Sequence, residues 1–325
     1  IIQDIPKEIF GARQLKNRGY MKIAMDHIGK PSAGRFTFMN LLSKYLLEKG
    51  DKIVNVNNLR NSDVYLTHGF DLTEKKIKEV ADVDVRLVVR QDGWSPETYD
   101  KMIEGDSHLL KWLKLLASVD RVIYQSEFCV QMFKRFNHDA SNGVVIHNGV
   151  IIPERTKKKD ILIIYTTKTI ACWWEKLIVP TVGYIKKWCI ENNIQCVEVK
   201  KHFSQLPHAR LLNLFAESKY VMHLYPFAPC ANTLLEAMAG GNIVISFDSG
   251  GDPELTLEDL LIPLNCSRFD FPSRDITVSE EDVLMVLNKT RDNYDYYKGL
   301  TQKRILQFDY RLIGQKYRNT CTEVI

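Results

Sequence analysis

Short apolar runs alternate along this chain with stretches whose apolar residues recur at helical spacing. "MKIAMDHI" (21–28) reads as a strand and "GKPSAGR" as a small-residue turn after it. "FTFMNLLSKYLLEKG" (36–50) reads as a helix with Phe38, Leu41, Leu42, Tyr45 and Leu46 on its apolar face, stopped at Gly50. "KIVNV" (52–56), "DVYLTH" (63–68), "VRLVVR" (85–90) and "RVIYQS" (121–126) follow as strands, with helical stretches between most of them. A second series begins near residue 160. Its strands are "DILIIYTT", "QCVEVK", "KYVMHLY" and "NIVISF", separated by the helices "LIVPTVGYIKKWCIEN", "HARLLNLFAES" and "ANTLLEAMAG". Past residue 280 the chain reads as helical to its end. Alternating strands and helices predict a parallel sheet covered on both faces, so the expected class is α/β.

The two series are joined by "HNGVIIPERTKKKD" (147–160), whose Asn-Gly, Pro and basic run suit a linker. Lys157–Lys159 is read as a solvated charge run there. A chain of 325 residues also suits two domains of roughly 150 residues each. The predicted division is an extension (1–20), an N-terminal domain (21–152), a C-terminal domain (153–300) and a last helix (301–325) packing back on the N-terminal domain. The extension is mixed in charge, neither a secretion signal nor a basic transit peptide, and Met21 would serve as a start.

Composition narrows the class. Lys and Arg number 44 against 40 Asp and Glu, a formal net charge of +4. That is too mild for a nucleic-acid binder but suits an anionic small ligand or an anionic membrane surface. The seven cysteines contain no CxxC pair, and Cys189 and Cys196 are not at zinc-ligand spacing, so reduced thiols and a cytoplasmic setting are expected. No apolar run is long enough to span a bilayer.

In open α/β sheets ligands sit at the carboxyl ends of strands, so the strand-to-helix turns hold the candidate chemistry. In "APCANTLLEAMAGGNIVISFDSGGDPEL" (228–255), Asn232, Thr233 and Leu234 open a helix whose free amides and dipole favour an anion such as a diphosphate. Glu236 stands one turn in, beside Ala237 and Ala239, where a carboxylate could accept hydrogen bonds from a ribose diol. Arg90 and Asp92 follow a strand at its carboxyl end, with Gly93 allowing close approach, and as catalytic candidates their charges suit a sugar acceptor or the reacting centre. Gly34 in "SAGR" suits backbone near phosphates. Lys200 could border a base. His68 reads as a structural histidine at a strand's mouth.

The order of these segments resembles the retaining family-four glycosyltransferases. Those show an acid, seven residues, a second Glu, Ala-Met-Ala-x-Gly, an apolar strand and a Gly-Gly-x-Pro-Glu-Leu turn; "APCANTLLEAMAGG" and "SGGDPEL" follow that order with alanine, Ala228, at the first acid. "LVVRQDGW" resembles the family's Arg-x-Asp-Gly variant, "GKPSAGR" its glycine loop, and "GVVIHNGVIIPE" its entry to the linker. The resemblance implies a GT-B fold, two Rossmann-like doubly wound domains facing across a cleft, and sugar transfer from a UDP- or GDP-sugar to a glycan or lipid without a metal. It implies that Glu236 holds the ribose, that Lys176, with Lys168 second, meets the diphosphate, and that Gly250, Gly251 and Glu254 shape the turn beneath the nucleotide. The family's first acid contacts the donor sugar, a role that the Ala228 methyl cannot fill.

Two rival readings follow. A relative that lost the front acid would bind a nucleotide sugar without turning it over, and a GT-B enzyme acting on DNA bases would need a basic groove that the modest charge does not supply. "HLLKWLKLLASV" (108–119) mixes apolar and basic residues, as a peripheral membrane contact would, although such helices commonly pack on a sheet with their lysine stems snorkelling.

Overall fold

The computed structural model describes residues 19–26, 34–154, 156–166, 174–200, 206–270 and 275–325. It contains two parallel sheets. The first is built from β1 (Lys22–Met25), β2 (Lys52–Val54), β3 (Val64–His68), β4 (Arg86–Gln91), β5 (Arg121–Tyr124) and β6 (Gly143–Val145), in the order β2-β1-β3-β4-β5-β6. The second is built from β7 (Lys159–Thr166), β8 (Gln195–Lys200), β9 (Ser218–Leu224), β10 (Ile243–Phe247) and β11 (Leu261–Ile262), in the order β11-β10-β9-β7-β8. In each sheet the first strand has its successor on one side and the next strand on the other. The resulting switch points, β1/β3 and β7/β9, open a crevice at the carboxyl edge.

The central strands are buried on both faces, as their unbroken apolar runs require: β3, β4 and β10 contain no exposed residue. β6 and β11 escape the sequence pattern because three and two residues are too few to display a period. The helices of the first half are α1 (Gly34–Glu48), α2 (Glu74–Ala81), α3 (Pro96–Ile103), α4 (Ser107–Ala117) and α5 (Glu127–Lys134). Thr73, Ser95, Asp106 and Ser126 cap α2 to α5 with side-chain oxygens. The second half carries α6 (Glu175–Glu191), α7 (His208–Glu217), α8 (Asn232–Ala239), α9 (Glu280–Asp292), α10 (Tyr294–Ile305) and α11 (Tyr310–Glu323).

The chain crosses between the sheets twice, and the crossings touch. Val150 pairs with Asp309 in a parallel bridge, its N–H donating to the Phe308 carbonyl at 2.9 Å. The return crossing lays α11 against α1. Phe38 packs on Tyr317 at 5.2 Å, and Arg318 pairs with the buried Asp51 carboxylate at 2.7 Å. Gly314 lets the two helices meet, since a Cβ there would lie 2.5 Å from the Tyr45 ring.

Within the lysine run at the junction, Lys157 and Lys159 are exposed as a solvated run requires, but Lys158 is not. Lys158 donates its ammonium to the carbonyls of Phe215 and Gly240, at the C-terminal ends of α7 and α8, where helix dipoles favour a cation. Its burial pushes its pKa down to about 8. Lys159 already belongs to β7 and pairs with Glu217.

Replacing Gly314 by valine forces a branched side chain into the fixed Tyr45 ring. The expected cost is about 2 kcal/mol, read as a lower denaturant midpoint with earlier hydrogen exchange in α11 than in the β7–β9 strands.

Candidate functional site at the domain seam

The turn from β9 into α8 is built around an unusual backbone. Phe227 sits at φ +56°, the left-handed region that a bulky side chain rarely adopts. Its N–H donates to Ser249 Oγ at 3.2 Å, and its ring lies between Phe128 and Trp174, at 6.3 and 6.0 Å. The Gly250–Gly251 turn presses onto the same segment. The Gly251 N–H donates to the Ala228 carbonyl at 2.7 Å, a Cβ on Gly250 would lie 2.6 Å from Phe227 backbone, and one on Gly251 would collide with the Pro229 carbonyl. Both glycines are therefore needed for two turns to share one space. Ala228 is fully buried in this packing.

Asp252 and Glu254 anchor the glycine turn in opposite directions. Asp252 reaches back to His223 Nδ1 on β9 at 2.8 Å, and the His223 ring stacks on Tyr165 of β7. Burial raises the Asp252 pKa, though His223 opposes that shift. Glu254 reaches across the seam. Its carboxylate accepts the N–H groups of Glu127 and Phe128 in the first turn of α5, at 2.8 and 3.0 Å, with His147 at 3.1 Å and Arg268 at 2.9 Å alongside. Burial would raise its pKa, but the bonds from His147 and the two amides hold it below the usual range.

Beside this seam, α8 begins without a side-chain cap, because Ala231 has none to give. α6 and α7, which follow β7 and β8, are likewise uncapped, starting after Trp174 and Pro207. Three helix N-termini at the carboxyl edge of one sheet thus lack a side-chain cap among the described residues. Glu236, on the second turn of α8 with its side chain 13% exposed, is bound to His208 Nε2 of α7 at 2.9 Å. The Glu236 hydrogen bond raises the His208 pKa, so this ion pair is complete below the ordinary histidine range and fades as pH rises through the raised value. Thr233 bonds Tyr165. Asn232 accepts from Asn148 Nδ2 at 2.7 Å, and Leu234 is buried.

The other sequence-predicted residues separate. Arg90 is buried, 1% exposed, and faces inward, its guanidinium on Asp92 at 2.8 Å, on Asn148 Oδ1 at 2.9 Å and over the Phe38 ring. It joins the N-terminal sheet to the linker and is not presented to the cleft. Asp92 is held on its second oxygen by His68 Nε2 at 2.8 Å, so His68 supports that carboxylate. The neighbouring Gly93 lies against Pro229, which puts this loop directly on the turn that contains Ala228. Lys176 stands exposed in the first turn of α6, where a cation opposes the helix dipole. Lys200, at the end of β8, pairs with Glu198 at 3.1 Å. Gly34 is the first residue of α1. Lys168 lies outside the described residues. Asn148 and the reach of Glu254 were not found from sequence, because both act through partners more than a hundred, or some eighty, positions away. Among the described residues no cluster of three His, Cys, Asp or Glu side chains could hold a metal ion, and no helix is long and apolar enough to cross a membrane.

No family model and no curated protein sequence matches the chain. Solved structures do match it in fold. HepE of Anabaena in complex with UDP aligns with a TM-score of 0.62 at 16% identity, over 93% of this chain and 100% of that one. Sucrose-phosphate synthase of Thermosynechococcus elongatus aligns at 0.65 and 12% identity, over 94% and 99%. The lipopolysaccharide outer core galactosyltransferase WaaB, in its apo form, aligns at 0.59 and 14% identity, over 94% and 100%. The chain shares with them the GT-B architecture of two Rossmann-like domains.

Glu254→Gln removes the charge from a buried four-donor site and is expected to destabilise the protein by about 1–3 kcal/mol. Because the native carboxylate pKa is depressed, that stabilisation is complete above about pH 4.3, the unfolded value, and is lost as pH falls through the native one. Thermal unfolding of both proteins across acid pH checks this: their difference should narrow with acidification and stay constant near neutrality.

Proposed function

We propose that the chain is a glycosyltransferase that moves a sugar from a nucleoside-diphosphate sugar to a glycan or lipid acceptor, with retention of configuration. The observation that carries the reading is the uncapped N-terminus of α8 at the β7/β9 switch point, with the partly buried Glu236 on its second turn. A positive helix end without a side-chain cap suits a diphosphate, and a carboxylate beside it suits a ribose diol. HepE was solved with UDP and with UDP-glucose, which supports a uridine donor for this fold.

In this mechanism the α8 amides, together with Lys176, offset the charge that develops on the departing diphosphate, and no metal is invoked. The dipole-opposing position of Lys176 makes it receptive to an anion. Glu236 exchanges its His208 partner for the ribose hydroxyls. Closure of the seam excludes water, since hydrolysis is the competing reaction. Retention follows if the leaving phosphate assists attack on the same face, which suits a seam where Asp92 is committed to His68 and Arg90 and position 228 is a methyl. The acceptor then enters from the N-terminal domain. The exposed face of α4, with His108, Leu110 and Lys114, would rest on a lipid surface if the acceptor is membrane-borne.

A second reading draws on the same seam. Ala228 is a buried methyl, Arg90 faces inward and Asp92 is engaged on both oxygens. A nucleotide-sugar-binding protein without turnover needs no more than that.

Calorimetric titration with UDP, GDP and their glucose and mannose conjugates separates these readings. Binding is expected in the wild type, with Glu236→Ala weakening it about 10- to 100-fold, the loss of one or two charge-assisted hydrogen bonds. Transfer or hydrolysis by the wild type supports the enzyme. Turnover gained only in Ala228→Asp marks a transferase disabled at that position, and binding without turnover in either protein favours the second reading. Absence of binding by any nucleotide overturns the donor-site assignment.

A further inference from the structure

The carboxyl edge of the N-terminal sheet holds a second polar cluster that the donor site does not use. Asp26 follows β1 directly, at the β1/β3 switch point. Three donors converge on one of its oxygens, Oδ2: the Tyr65 hydroxyl at 2.6 Å, the Thr67 hydroxyl and the Lys76 ammonium at 3.2 Å. Lys76 also donates to the Tyr65 hydroxyl, at 2.6 Å. Oδ1 takes no hydrogen bond from any described residue, and the side chain keeps 11% exposure. Burial acts to raise the Asp26 pKa, but Thr67, Tyr65 and Lys76 together lower it, so the group is ionised at neutral pH.

We infer that Asp26 is an acceptor-binding residue, whose Oδ1 receives a hydrogen bond from a hydroxyl of a neutral, polyhydroxylated acceptor such as a sugar. The inference rests on the glycosyltransferase reading above and supplies the acceptor side of it. Three features select that ligand class. Tyr65 and Thr67 come from the adjacent strand and Lys76 from α2, so donors on two elements fix the rotamer and the direction of Oδ1 in advance. Lys76 already balances the carboxylate charge, so the pair attracts neither a cation nor an anion. The switch-point crevice is where an open sheet of this kind receives a ligand. Asp92 stands on the same carboxyl edge two strands away, about 10 Å at ordinary strand spacing, but both of its oxygens are engaged, by His68 and Arg90. Of the two, Asp26 is the one whose second oxygen takes no hydrogen bond from a described residue. The depressed pKa makes it a poor base, so it orients a hydroxyl and does not take its proton. Tyr65, Thr67 and Lys76 act as positioning residues.

The substitution Asp26→Asn tests this sharply. The three donors around Oδ2 compel the amide oxygen to face them, which places the NH2 group where Oδ1 stood and turns an acceptor into a donor. Saturation-transfer NMR with methyl α-glucoside, methyl α-galactoside and methyl α-mannoside is the readout. Saturable binding of at least one glycoside by the wild type is expected, weakened at least about tenfold in Asp26→Asn, with near-UV circular dichroism showing an intact fold. If that variant does not fold, Thr67→Val and Lys76→Met, each releasing one restraint on the carboxylate, are expected to weaken the same signal severalfold. Equal glycoside affinity in wild type and folded variants overturns the inference, and so does a wild type that binds none of the three. Nucleotide titration of the wild type is scored separately: failure to bind UDP or GDP defeats the glycosyltransferase reading, while the glycoside comparison still decides whether Asp26 holds a hydroxyl.

Discussion

The arrangement of this protein depends on one carboxylate that finds three of its four donors in the other domain. Glu254 leaves a glycine turn of the C-terminal sheet and ends on the first two amides of α5. A buried ionised group without partners would be costly, and the partners it has come from three separate segments, α5, His147 and Arg268. This is why the glycine turn must lie where it does. Once Glu254 is seated, Gly250 and Gly251 have to pass against residues 227–229, which only glycine permits, and Phe227 is pressed into a left-handed conformation. Arg304, from the helix preceding the return crossing, donates to the Glu254 and Leu255 carbonyls and braces the turn from behind.

That packing leaves an electrostatic asymmetry across the seam. On the C-terminal side, α6, α7 and α8 start without side-chain caps and Lys176 is exposed against a helix dipole, so the local field favours an anion. On the N-terminal side, α2 to α5 are capped by side chains, and two acids are neutralised in place, Asp92 by Arg90 and Asp26 by Lys76. This asymmetry suits the proposed pairing of a phosphate-bearing donor on one side with a neutral polyol on the other. A charged acceptor would meet no unbalanced partner among these residues.

Asn148 shows how closely the linker is tied into this arrangement. Its side chain accepts from Arg90 and donates to Asn232, joining the N-terminal sheet to the first residue of α8. Any rotation of one domain against the other must break or re-form this bond and the Glu254 contacts together. The seam is therefore a hydrogen-bonded joint, and its opening is expected to be cooperative.

The sequence by itself determined most of the architecture. Strand and helix periods differ strongly enough to mark the long buried strands and the helices between them, and the small-residue helix with Glu236 is a local pattern that needs no partner to be read. Short-range rules could not find β6 or β11, too brief to show a period, and they took Lys158 for a solvated linker residue because its carbonyl partners lie dozens of positions away. Arg90 is the plainest case: an arginine after a strand reads as a cleft residue until the return crossing lays α11 against α1 and buries it under Phe38 and beside Tyr317. Which carboxylates are committed and which keep a lone pair was decided by tertiary structure alone. Charge pairing depends on separations of a few ångströms, and those are set by how the sheets and crossings assemble, not by neighbours along the chain.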